Sequence, residues 1–114
     1  MSFLIFCIVV VIIVAIVLTT LYVNPLVEVV GDSMYPTYRN GEFLQSRRIA
    51  KTEKLTEGKV YVYKSPTNEV VIKRLLYDTP HGLFFVGDNV QCSFDSRSYG
   101  CIPRENVIAE IINP

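Results

Sequence analysis

The 114-residue chain has a single histidine, and its three cysteines, Cys7, Cys92 and Cys101, form no CxxC pair. The ligand spacing of a zinc site is therefore missing, and no metal is expected. Net charge is missing too, because eleven basic residues balance eleven acidic ones. A nucleic-acid partner requires a basic stripe that displaces counterions from phosphates, so none is expected. The chain shows no internal repeat and no low-complexity segment. After Pro25 no stretch has a convincing helical period.

Charge is also absent from one long run. From Phe3 to Val23 the residues read FLIFCIVVVIIVAIVLTTLYV, with no Asp, Glu, Lys or Arg. At about 1.5 Å per residue such a helix crosses a hydrocarbon core of roughly 30 Å. A helix buried in a globular core would keep a polar stripe on one side, and this run has none. The apolar region of a cleavable signal peptide usually spans about 7–15 residues and follows basic residues, and neither condition holds. Residues 1–25 are accordingly read as a retained anchor in the lipid bilayer, and residues 26–114 as one domain. No Lys or Arg precedes Phe3, and the first basic residue after the span is Arg39. Charge alone thus slightly favours a cytoplasmic domain.

Asn24-Pro25 ends the apolar helix, because proline cannot continue its hydrogen-bond ladder. Beyond it, short stretches rich in β-branched and aromatic residues recur at Leu26–Val30, Glu42–Ser46, Lys59–Tyr63, Glu69–Leu76, Leu83–Val86 and Val107–Ile112. Turn signals such as Arg39-Asn40-Gly41, Ser65-Pro66-Thr67-Asn68 and Pro80-His81-Gly82 separate them. The pattern predicts a mostly β domain, a compact antiparallel sheet or partly closed barrel. Ser33–Tyr38 alone suggests a helical turn at a strand end. A domain of about ninety residues buries only around two-thirds of its unfolded surface, so its core is modest.

Three segments carry chemistry. In Gly31-Asp32-Ser33-Met34-Tyr35-Pro36-Thr37, a serine sits on a tight turn just beyond a strand, and Gly31 permits the bend. In Val70-Val71-Ile72-Lys73-Arg74-Leu75-Leu76, alternation puts Lys73 on one side with Val71 and Leu75, and Arg74 on the other. Burial among apolar neighbours disfavours the charged amine and can lower its pKa from about 10.4 by several units, enough to make it a base. The third segment runs from Gly87-Asp88-Asn89 through Cys92-Ser93-Phe94-Asp95-Ser96-Arg97 to Gly100. It is dense in groups that can satisfy one another, with Asp95 and Arg97 placed to pair. Each segment alone also fits a plain structural role: a serine turn, an edge lysine, a polar loop.

In this order, GDSMYPT, an apolar strand ending in Lys73-Arg74, and GDNxxxSxDSRxxG resemble the type I signal peptidases over nearly the whole chain. The resemblance implies a mostly β catalytic domain outside the cytoplasmic membrane, held by one anchor, that cleaves signal peptides from exported preproteins. It implies Ser33 as nucleophile and Lys73 as general base, with the Ser93 hydroxyl holding the amine in place. Asp88, Asp95 and Arg97 would keep the loops together, joined by Arg74. Some members carry an oxyanion-hole serine at the position of Gly31, so here the hole would rely on backbone N–H groups, chiefly that of Ser33. The substrate would add as a strand between Leu26–Val30 and Val70–Lys73. Val29, Val30, Met34, Tyr38, Val71 and Ile72 would line shallow pockets for small side chains. The partners implied are preprotein signal peptides and the bilayer, with no metal and no cofactor.

The chain departs from the family in lacking the large insertions of some members, and Val90-Gln91-Cys92 replaces more polar residues. A non-enzymatic assembly chaperone related to these peptidases would be expected to have lost the serine or the lysine, and both are present. A self-cleaving repressor with the same dyad would need a DNA-binding module where this chain has its apolar run. In an oxidising setting Cys92 and Cys101 can pair if their Cα atoms lie within about 7 Å; otherwise they are two small buried hydrophobes.

Overall fold

The computed structural model describes residues 2–112. Its first element, α1 (Ser2–Val23), is a helix of 22 residues with no buried side chain, long and apolar enough to cross a membrane. Its two threonines hide their hydroxyls by donating back to Ala15 and Ile16 carbonyls at 2.8 and 2.9 Å. The break at Pro25 is stitched to the domain. Arg48 Nε donates to the Tyr22 carbonyl at 2.8 Å, and its guanidinium lies 4.5 Å from the centre of the Tyr22 ring. The Pro25 carbonyl accepts from both the backbone N–H and the hydroxyl of Ser46. Carbonyls at a helix end lack intrahelical partners, so contacts of this kind fix where the domain starts.

Six strands follow: β1 (Leu26–Glu28), β2 (Phe43–Arg48), β3 (Val60–Lys64), β4 (Val70–Thr79), β5 (Gly82–Val86) and β6 (Val107–Ile111). They form one antiparallel sheet in the order β1-β2-β6-β3-β4-β5. All six expected strands are present, with ends shifted by up to three residues. β1 stops at Glu28 because Val29 and Val30 leave the ladder for the Ser33 turn. β4 runs on to Thr79 because it continues into a hairpin with β5. One further difference is α2 (Ser96–Tyr99), a single helical turn capped by the Asp95 carboxylate, which accepts from the Arg97 N–H. Four residues are too few to leave a helical period in the sequence.

β3 decides the packing because it is buried on both faces. Tyr61 and Tyr63 point into one cluster with Leu75, Leu83, Phe85, Ile102 and Val107. Val60 and Val62 point into another with Val29, Met34, Tyr38, Leu44, Ala109 and Ile111. Period-two alternation thus assigns β3 side chains to two cores. Phe85 stacks on Tyr63 at 4.3 Å between ring centres and meets Tyr61 edge-on at 6.3 Å.

Among the described residues, two strand edges beside the Ser33 turn have no partner strand. β5 pairs with β4 only from Arg74 to Thr79, leaving the outer edge of residues 70–73 without a partner strand. β1 pairs only with β2. The four antiparallel pairings that lead from β1 through β2, β6 and β3 to β4 make β1 and β4 run in the same direction. Cys92 and Cys101 are free thiols, and Cys92 is exposed rather than a buried hydrophobe.

Phe85→Ala removes a ring that is fully buried between two tyrosines. It should destabilise the domain by about 3–5 kcal/mol, whereas Leu76→Ala on the exposed side of β4 should stay within about 0.5 kcal/mol. Urea unfolding of the full chain in detergent, followed by tyrosine fluorescence, reads both.

Candidate active site

The turn after β1 is held at several points. Val29 donates to the Glu42 carbonyl and accepts from the Gly41 N–H. Gly31 has φ +86°, a backbone region that side chains disfavour, and its N–H donates to Asn40 Oδ1 at 2.9 Å. A Cβ at Gly31 would meet no atom within 4 Å, so conformation rather than space selects glycine here. The expected helical turn follows, with the Tyr38 N–H donating to the Met34 carbonyl. Met34 is sunk in the second core and fixes the turn to the sheet. Ser33 is left half-buried beside the cleft.

A second loop grips this turn from the end of β5. The Asn89 N–H donates to the Ser33 carbonyl at 2.8 Å, and Asn89 Nδ2 donates to the Asp32 carbonyl at 3.0 Å. Gly87 lies so close that a Cβ would stand 2.6 Å from the Ser33 carbonyl oxygen and 2.2 Å from Ser93 Oγ. Only glycine fits where three segments converge. Asp88 then reaches sideways: Arg74 Nε and Nη2 donate to its two carboxylate oxygens at 2.8 and 2.7 Å, and the Thr37 hydroxyl donates to it as well. The Arg74 ion pair and hydrogen bond hold the Asp88 carboxyl below its usual range.

Asp95 is the hub of the loop that follows, and it is fully buried. It accepts from the Gly87 N–H, the Ser93 hydroxyl, the Arg97 N–H, and Arg97 Nε and Nη2, all between 2.6 and 3.1 Å. Burial would raise its pKa, but these donors outweigh burial and bring it down to about 2. The expected Asp95–Arg97 pair is therefore present. Ser93 donates to Asp95, and no hydrogen bond joins it to Lys73.

Lys73 projects from β4 with Val71 and Leu75 on its face and is 5 % exposed. Burial pushes its pKa below the ordinary lysine value; the Asp95 charge opposes this in part and the Arg97 charge adds to it. Its amine belongs to none of the ion pairs among the described residues. Ser33 and Lys73 line the same two adjoining cavities. One, of about 90 Å³, is a groove between β1 and the open edge of β4, walled by Val29, Val30, Met34, Val70, Val71 and Ile72. The other, of about 220 Å³, is bordered by Cys92, Phe94 and Tyr99.

Five of the six expected pocket residues thus line the groove. Tyr38 does not: it is buried in the second core and borders a separate depression with Arg74 and Glu110. Gly87 and Asn89, whose backbone positions the turn, and Thr37, which braces Asp88, carry more of the site than the sequence reading assigned them. The run Gly87-Asp88-Asn89 was their signal. Among the described residues, no group of three or more His, Cys, Asp or Glu side chains is placed to hold a metal ion.

A family model described as "Signal peptidase, peptidase S26" matches residues 1–76 and 79–114, omitting only Tyr77 and Asp78. No individual curated protein matches the chain.

A carboxyl whose pKa falls on folding adds stability above its unfolded value and loses it as pH drops through its folded value. Asp95, at about 2 against the usual 3.8, should stabilise the fold above about pH 4 and cease to do so near pH 2. At about 1.4 kcal/mol per pKa unit the contribution is on the order of 2 kcal/mol. Unfolding midpoints between pH 2 and 6 should therefore fall more steeply for the native chain than for Asp95→Asn; parallel curves would contradict the network. Gly87→Ala should lower stability and activity together, since the added methyl collides with both loops.

Proposed function

Because the chain belongs to the signal peptidase family, peptidase S26, we propose that it is a membrane-anchored serine endopeptidase with Ser33 as nucleophile and Lys73 as general base. The observation that carries this reading is a lysine amine, buried and without a carboxylate partner, in the same cavities as an accessible serine hydroxyl. A neutral amine accepts a proton; a paired or solvated ammonium does not.

In the proposed reaction Lys73 takes the Ser33 hydroxyl proton as the oxygen attacks the substrate carbonyl. Negative charge then develops on the carbonyl oxygen and needs donors that are not already engaged. Among the described residues the Ser33 N–H has no hydrogen-bond partner, which suits it to that part. The Lys73 ammonium returns its proton to the leaving amine, and water releases the acyl group by the reverse roles. Every proton moved begins and ends on the substrate, Ser33, Lys73 or water. Ser93 and Asp95 are positioning residues: Asp95 ties the Ser93 hydroxyl, Gly87 and Arg97 into one unit beside the amine.

The substrate would enter the groove as a strand, with unpaired backbone groups of residues 70–73 and of β1 as its partners. Since β1 and β4 share one direction, a strand between them is parallel to both or antiparallel to both. In the parallel arrangement the residues before the scissile bond follow Val29 and Val30 toward Ser33, as processing of an upstream signal segment requires. A groove of about 90 Å³ walled by valines, Ile72 and Met34 suits small side chains such as Ala. The anchor would confine the enzyme to the bilayer that holds the apolar part of its preprotein substrates, with residues 26–114 on the extracytoplasmic side.

Ser33→Ala and Lys73→Ala should each lower cleavage of a preprotein by at least about 10⁴-fold while preserving the circular dichroism of the fold. Lys73→Arg should not rescue, because arginine stays charged. Substantial activity in any of the three contradicts the dyad. A protease added to intact cells or spheroplasts should digest residues 26–114; digestion only after lysis would reverse the assigned side.

A further inference from the structure

The two cavities that meet at Ser33 and Lys73 are bordered by three carboxylates, Glu28, Asp32 and Glu69. All three residues are exposed. Among the described residues none of their side chains takes part in an ion pair or a hydrogen bond. The nearby arginines are already matched, Arg74 by Asp88 and Arg97 by Asp95. Lys64 faces Val70 across the ladder and lines neither cavity. Lys73 is the only base in the lining, and burial favours its neutral form. The chain as a whole has no net charge, so this acidic excess is local to the cleft.

Like charges set along a cleft with apolar walls raise the local concentration of the opposite charge. None of the three carboxylates is among the charges that shift Lys73. They are therefore free to act on the flanks of a bound chain without disturbing the dyad. Glu28 stands two residues before Val30 and five before Ser33. At about 3.3 Å per residue of extended chain, its carboxylate meets a bound strand a few residues upstream of the cut.

We propose that this cleft selects peptide segments carrying lysine or arginine close to the scissile bond and disfavours segments carrying aspartate or glutamate there. Glu28 and Glu69 are the specificity-determining residues. The inference rests on the peptidase reading and narrows its substrate class.

The test uses the full chain in uncharged detergent and three peptides with Ala one and three residues before the cut. They differ only in carrying Lys, Gln or Glu at the second and fourth positions before it, whose side chains point away from the small pockets. At low ionic strength kcat/KM should fall in that order, with about a three- to tenfold span between Lys and Glu, as expected for exposed charge pairs. The span should shrink toward one as salt approaches about 1 M, where screening acts within roughly 3 Å. In Glu28→Gln/Glu69→Gln most of the span should vanish, each peptide being compared with the Gln peptide on the same variant. Equal cleavage of all three peptides, or an undiminished span in the double variant, would overturn the proposal. Failure to cleave even the Gln peptide would count against the peptidase reading instead. The same ranking would then be read as Kd on Ser33→Ala, where equal affinities overturn the charge selection.

Discussion

Desolvation of one amine is the constraint around which the domain is arranged. Lys73 is carried by β4 into an apolar face with Val71 and Leu75, and among the described residues no carboxylate pairs with its nitrogen. The cost is thermodynamic. Folding lowers the amine's affinity for a proton, so between its folded pKa and the usual 10.5 the unfolded chain binds more protons. Stability therefore rises with pH across that window, and below it the lysine opposes folding. The rest of the core must offset this, and the doubly buried β3 withdraws apolar side chains from water on both faces, with Tyr61 and Tyr63 on one and Val60 and Val62 on the other.

Two buried or half-buried carboxylates keep the loops around the cleft in register without neutralising that amine. Asp95 spends its acceptors on Gly87, Ser93 and Arg97, and Asp88 spends its own on Arg74 and Thr37. The result joins the end of β5, the Ser33 turn and α2 through fixed hydrogen bonds rather than apolar packing. The ion pairs of Arg47 with Glu53 and Glu110, and of Lys59 with Glu110, form a separate network whose residues line neither cavity.

Much of this was legible in the amino-acid sequence where the determinants are local. Alternation of valine and tyrosine marked β3, the uncharged run marked α1, and period two placed Lys73 with Val71 and Leu75. Other features depend on residues far apart in the chain. That β1 faces the open half of β4 follows from the whole strand order, which no window of sequence contains. The close approach of Gly87 to Ser33 and Ser93 brings three loops together and is visible only as a glycine among polar residues. Tyr38 was misplaced because its ring packs into the second core and borders the depression beside Arg74 and Glu110, whereas Met34 on the same turn also reaches the groove. The brief α2 escaped because its four residues are too few to carry a helical period.

The central claim, that burial keeps Lys73 available as a base, concerns one titration. The chain has five lysines, Lys51, Lys54, Lys59, Lys64 and Lys73. Carbon-13 NMR of the lysine ε carbons, followed against pH in the full chain, resolves them. One resonance should titrate clearly below the ordinary lysine value and disappear in Lys73→Met. A Lys73 resonance titrating at or above the ordinary value would contradict the account.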